Sequence, residues 1–134
     1  MVIGYKTGKT NSTQLVKSTL LKAYAAGQPD SKVMLHTDRG SNYCSKAMND
    51  CVKSLNSTHS FSRVYVPYDN SEIESFFASM KKEELYRTKY RSELEFRNAV
   101  DKYILFYNTK RPHYKLQYKT PAQKELEYAQ KKGT

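Results

Sequence analysis

Tryptophan is absent from this chain, cysteine occurs twice, and proline and glycine are scarce, at 4 and 5 residues of 134. Each shortage excludes something. Two cysteines, Cys44 and Cys51, are too few for a secreted disulfide framework and read as reduced thiols in a cytoplasm. No repeat or low-complexity tract appears. No apolar run approaches the length of a membrane span, and the start, Met-Val-Ile-Gly-Tyr-Lys, lacks the apolar stretch of a signal peptide. Acidic residues are also in deficit: 13 Asp and Glu face 23 Lys and Arg, a net charge of +10 with no acidic tail to offset it. Such a balance argues for a polyanionic partner and is silent about fold.

What remains is a chain of one-domain length, polar for a compact globule at a mean hydropathy of −0.82. Its aromatic content is 12 Tyr and 5 Phe. Such amphipathic rings serve a core and also surfaces that stack on bases or sugars. The positive charge is uneven, +3 over residues 1–80 and +7 over residues 81–134. That concentration favours a nucleic-acid footprint over an ordinary solvated surface.

The order of elements is predicted as alternating strand and helix. Val2 to Tyr5 reads as a short strand. Asn11-Ser12-Thr13-Gln14 offers a cap for a helix carrying Val16, Leu20, Ala23 and Tyr24, stopped at Gly27. Lys32 to His36 is a buried strand, with Asp38 just past its carboxyl end. Ser45 caps a helix with Ala47, Met48, Cys51, Val52 and Leu55 on one face; Thr58 to Arg63 is strand-like, and Val64 to Asn70 is a loop. Ser71 opens a helix with an apolar stripe of Ile73, Phe76, Phe77 and Met80. Ser92 with Glu95 predicts a capping box for a helix holding Phe96, Val100, Tyr103, Ile104 and Tyr107, and Thr120-Pro121 starts a last short helix. The order is that of an α/β fold.

Two stretches carry the chemistry. The first is His36-Thr37-Asp38-Arg39-Gly40-Ser41-Asn42-Tyr43; the second is Tyr68-Asp69-Asn70-Ser71-Glu72-Ile73-Glu74-Ser75-Phe76-Phe77. Asp38 lies at a strand's carboxyl end, where ligands gather in open α/β sheets. Glu72 and Glu74 cannot both face it, because residues two apart on a helix point to nearly opposite sides. With Ile73 at the centre of a buried stripe, the two acids fall on opposite flanks. Paired carboxylates from different elements suit two-metal phosphoryl transfer. His36, Cys44, Cys51 and His59 form a zinc-competent series, but their spacings are unlike the close pairs of structural zinc sites.

Both stretches resemble the signature of the integrase-core transposases of bacterial insertion sequences, relatives of retroviral integrases. The resemblance covers about Val2 to Pro121. It implies a ribonuclease H-like α/β fold, truncated at the amino end and extended by extra carboxyl-terminal helices, with a partial catalytic core over 1–115 and a helical tail over 116–134. It implies Asp38 and Glu74 as catalytic residues and ligands of Mg²⁺ or Mn²⁺, the match Glu-Ser-Phe-Phe selecting Glu74. Lys81, seven residues on and on the same flank, would hold a DNA phosphate. His36, Arg39, Asn70, Arg111 and His113 are further candidates for DNA contact, Asn70 with Asp69 being better placed to cap the helix. Tyr107-Asn108 with Arg111-Pro112-His113 resembles the tail motif of the family.

The family's first catalytic Asp has no match in this sequence, so two ligands of three remain. The expectation is a core fragment with little or no strand-transfer activity alone, whose DNA partners are insertion-sequence ends and target DNA. Uncovered strand edges further predict a homodimer or a partly disordered amino terminus. The alternative reading is a non-enzymatic basic DNA-binding module, which would make the Asp38 and Glu74 motifs accidental.

Overall fold

The computed structural model describes residues 1–133. They form two compact units, Ile3–Phe77 and a second comprising Met1–Val2 with the chain from Ala78 onward.

In the first unit, helix α1 (Thr13–Gly27) starts where Ser12 Oγ accepts from Leu15 N at 3.1 Å, and ends at Gln28 in a left-handed conformation. Strand β1 (Met34–Thr37) follows, then α2 (Lys46–Ser54), capped by Ser45 Oγ on Met48 N. Strand β2 (Thr58–Phe61) pairs with β1 in parallel, so α2 is the crossover of a βαβ unit. The register sets Met34 opposite Thr58 and His36 opposite Ser60. Met48, Cys51 and Val52, one face of α2, are buried; Ala47, expected on that face, is exposed. A 3₁₀ turn (Pro67–Asn70) leads into α3 (Ser71–Met80).

Val2–Tyr5 is not a strand, contrary to expectation; the sheet has two strands among the described residues. A strand needs a neighbouring ladder, and these backbone groups find partners elsewhere. Val2 N donates to Asn108 Oδ1 at 2.9 Å and Val2 O accepts from Asn108 Nδ2 at 2.8 Å, so one side-chain amide does a neighbouring strand's work. Tyr5 O accepts from Lys22 Nζ at 3.2 Å. Gly4 lies so close to α1 that a Cβ there would sit 2.7 Å from Ala23 Cα. The segment runs against the helix, and only glycine fits the approach.

The apolar stripe of α3 also differs from expectation. Phe76 and Met80 are buried, but Ile73 is 51% exposed and Phe77 45%. The buried line therefore runs through Phe76 and Met80, an i,i+4 pair, rather than being centred on Ile73.

In the second unit a π-helical turn (Lys81–Leu85) follows α3, closed by Tyr86 N donating to Lys81 O at 2.9 Å. Helix α4 (Glu93–Thr109) buries Val100, Tyr103 and Ile104 and packs on α5 (Pro121–Lys132). Ser92 caps α4 through Glu95 N, but the Glu95 carboxylate accepts from Arg91 N rather than Ser92 N, so the predicted box is half made. The full box occurs at α5, where Thr120 and Gln123 exchange both bonds. No helix of the described residues is long and apolar enough to cross a membrane.

Candidate active site

The β1–β2 register organises the first unit's polar residues. His36 stands between two hydroxyls of the β2 side, with Nδ1 3.1 Å from Ser60 Oγ and Nε2 3.2 Å from Ser62 Oγ. Ser62 Oγ donates its own proton to Thr37 O at 3.1 Å, so His36 Nε2 is the donor in its pair with Ser62. On the opposite sheet face Thr37 Oγ1 donates to Asp38 O at 2.8 Å and meets His59 Nε2 at 2.9 Å. Burial, and then the nearby His36, push the His59 imidazole below its ordinary value.

Asp38 lies one residue past β1 and is exposed. Its Oδ1 accepts from Gly40 N at 2.8 Å, while no protein donor reaches Oδ2 among the described residues. Gly40 has no left-handed φ; its smallness matters instead, since a Cβ there would lie 2.9 Å from Asp38 Oδ1. Tyr43 follows on the same loop, and burial and the Asp38 charge raise its phenol pKa. Two side-chain bonds tie the loop to the start of α1: Thr13 Oγ1 to Asn42 Oδ1 at 3.1 Å, and Asn42 Nδ2 to Asn11 Oδ1 at 2.9 Å. Arg39 donates through Nε to Ser62 O at 3.0 Å and lies 5.7 Å from the Phe61 ring centre, so its stem is anchored at the end of β2.

Glu74 is on α3, exposed and without a hydrogen-bonding or ionic partner among the described residues. The observed burial changes the reasoning about its neighbour. Glu72 is four residues before Phe76 and therefore heads the buried line, whereas Glu74 lies off it. The helix geometry alone does not choose between the acids; the Glu-Ser-Phe-Phe match does. No group of three or more His, Cys, Asp or Glu is placed to share a metal ion among the described residues.

The loop into α3 holds a feature invisible in the sequence. Arg63 binds Asp69 through its backbone N (2.9 Å), Nε (3.3 Å) and Nη2 (3.2 Å). These bonds to Arg63 hold the Asp69 carboxyl below its usual range. Asp69 is thus committed to the loop, and neither it nor Asn70 caps α3 with its side chain among the described residues, contrary to expectation. The loop displays Tyr65, 98% exposed at a φ of 61°.

In the second unit Lys81 is exposed on the π-helical turn. Arg111 is engaged: its Nε lies 3.0 Å from both Glu83 oxygens and its Nη2 2.6 Å from Oε1, and Tyr103 OH donates to Oε2 at 2.9 Å. The His113 ring packs edge-on against Tyr107, with centroids 4.6 Å apart, and its Nε2 is 3.3 Å from Tyr107 O; burial lowers its pKa. Sequence reasoning did not find Ser60, Ser62, the Arg63–Asp69 clamp or the Glu83 pair. Only the serines left a trace, as hydroxyl residues alternating at Thr58, Ser60 and Ser62.

A parallel strand pair bridged by a helix, with an acid at the first strand's end and another on a following helix, is consistent with a ribonuclease H-like integrase core. The comparisons agree. Two integrase core domain families match residues 1–67 and 55–121. The chain is 32% identical over 121 residues to the transposase for insertion sequence element IS904 of Lactococcus lactis, covering 90% of this chain and 48% of that one. It is 34% identical over 113 residues to transposase InsF for insertion sequence IS3A of Escherichia coli, covering 84% and 39%. The chain thus spans less than half the length of these relatives. The catalytic core domain of BIV integrase superposes with a TM-score of 0.65 at 20% identity, over 96% of this chain and 80% of that one. A chain of a simian T-cell lymphotropic virus intasome, solved with a PP2A regulatory subunit, gives 0.64 at 20% identity, over 79% and 37%. This chain belongs to the integrase core domain family.

Proposed function

We propose that the chain carries part of the catalytic site of an insertion-sequence transposase, a polynucleotidyl transferase that cuts and joins DNA. One observation carries the reading. Asp38 at the end of β1 and Glu74 on α3 lie in one compact unit, in the family's motif, both exposed, with Asp38 Oδ2 and the Glu74 carboxylate unclaimed among the described residues. Hard oxygen donors of this kind fit Mg²⁺ or Mn²⁺. Such ions, when bound, activate a hydroxyl nucleophile and stabilise the leaving oxygen in in-line attack on a phosphodiester.

The chain's own residues have separate tasks in this scheme. Asp38 is pre-set by the Gly40 N–H, which fixes one oxygen and leaves the other for a ligand. His36, held between Ser60 and Ser62, contributes an imidazole on the strand that leads to Asp38. Lys81 supplies a cation for a phosphate, and the +10 chain holds DNA by its backbone, at insertion-sequence ends and at a target, in the bacterial cytoplasm. Arg39, Asn70 and His113 are secondary candidates for DNA contact.

Only two of the family's three carboxylates are found in these 134 residues, so the chain by itself is expected to yield no strand-transfer product. Isothermal calorimetry with Mn²⁺ is the direct test. The parent chain should bind, and Asp38→Asn and Glu74→Gln should each lower affinity at least about tenfold. Binding unchanged in both variants would remove the metal site and leave the basic DNA-binding module. Robust Mn²⁺-dependent joining by the isolated chain would overturn the expected inactivity.

We also propose a homodimer. The register turns the backbone groups of Met34 and His36 away from β2, since Val33 O and Thr37 O take its bonds. That open edge is flanked by an exposed Met34, a pairing surface that water tolerates poorly. Light scattering should return twice the chain mass, and a clean monomer would reject the proposal.

A further inference from the structure

The segment from Lys81 to Arg91 holds five cations, Lys81, Lys82, Arg87, Lys89 and Arg91, and two acids, Glu83 and Glu84. All five cationic residues are exposed, and both acids are half-buried. Each acid is taken by a group from its own unit. Glu84 Oε1 accepts from Tyr90 OH at 2.9 Å. Glu83 accepts from the Arg111 fork and from Tyr103 OH. The Arg111 guanidinium beside Glu83 holds its carboxyl below the usual range, with Tyr103 adding to the effect. Burial and the Glu83 bond push the Tyr103 phenol far above its ordinary value, so it remains a donor.

Arg111 is poorly placed to be a DNA contact in its own right. Its side chain is only 24% exposed, two of its three guanidinium nitrogens bond Glu83, and its carbon lies 5.7 Å from the Tyr107 ring centre. The pair also acts where the helix is widest. A π-helical turn is an irregular element found often at functional positions, and Glu83 is its middle residue, two places from Lys81. Released, that carboxylate would stand unneutralised within the same turn and lower the positive potential that a phosphate meets at Lys81 and Lys82.

We propose that Arg111 and Tyr103 are positioning residues for phosphate binding: they hold and neutralise the Glu83 carboxylate, leaving the charge of Lys81 and Lys82 unopposed. The inference rests on the DNA-binding reading above and adds a mechanism to it. Loss of Arg111 then acts through the freed Glu83, not through a missing contact.

A double-mutant cycle separates these routes, read by fluorescence anisotropy on a labelled DNA duplex over a salt series. Arg111→Ala should weaken binding about tenfold in the parent background. In the Glu83→Gln background, where no carboxylate is left to release, the same substitution should cost less than twofold. An equal loss in both backgrounds means that Arg111 touches DNA directly, and overturns the proposal. Thermal melts followed by circular dichroism establish that each variant is folded at the assay temperature. If Arg111→Ala is not, Arg111→Lys replaces it. This variant keeps the charge but loses the fork, so binding should still weaken, and full retention would favour a simple charge contact. A parent chain without steep salt dependence would reject the DNA reading itself; steep dependence with an additive cycle would reject this inference alone.

Discussion

Raising salt from about 50 to about 200 mM is expected to weaken the affinity of this chain for duplex DNA about 500-fold, as for a protein that neutralises about five phosphates. The argument begins with the distribution of charge rather than its total. Residues 81–134 carry a net +7, and the segment from Lys81 to Arg91 has its two acids engaged by Tyr90, Tyr103 and Arg111. The remaining cations face water, and on binding a polyanion they displace the counterions condensed on its phosphates. Release of those counterions makes the logarithm of affinity fall linearly with the logarithm of salt. Sequence preference is not required, because phosphate contacts fix position without reading bases. Anisotropy titrations at four salt concentrations suffice. A flat dependence would mean that the charge serves a protein partner or only solubility, and the transposase reading would lose its substrate.

The legible parts of this chain were those set by neighbours in sequence. Ser45, Ser92 and Thr120 cap their helices because the hydroxyl and the N–H that it accepts are three residues apart. The strand before Asp38 and the crossover helix after it were legible from apolar spacing, although the strand is not the buried one expected, since Val33 and Met34 are exposed. Asp38 and Glu74 stood out because each lies in a contiguous motif. What was not legible depended on distant partners. Val2 looked like a strand from its own composition, but its hydrogen bonds go to Asn108. Arg111 looked like a free cation because Glu83 is 28 residues away in sequence. The stripe on α3 showed the right spacing, yet Phe76 is buried and Ile73 is not, since burial is decided by what packs against a helix. The Arg63–Asp69 clamp had no periodic signal, as loop geometry alone brings those residues together.

The other large effect is expected at Met48. This side chain is 1% exposed, one of the two largest fully buried among the described residues, and sits on the helix that connects β1 to β2. Met48→Ala removes three heavy atoms from a site that cannot collapse easily, at a cost of about 2–5 kcal/mol. For a chain of this size the melting temperature should fall by roughly 10 °C. Ala47 is the control, because it is adjacent and exposed; Ala47→Gln should stay within about 0.5 kcal/mol of the parent. The consequence reaches the site through the sheet. Asp38 takes its place from β1, whose ladder partner among the described residues is β2, with α2 packed on β2. A two-stranded sheet is marginal without a packed face, so loosening α2 should loosen the strand that presents Asp38. Calorimetry on Met48→Ala should then show weaker Mn²⁺ binding although no ligand has changed. A variant that melts with the parent would mean that α2 is not the packing element that holds the sheet together. Lost stability with undiminished metal affinity would mean that the Asp38 loop is organised instead by its own bonds to Gly40, Asn42 and the start of α1.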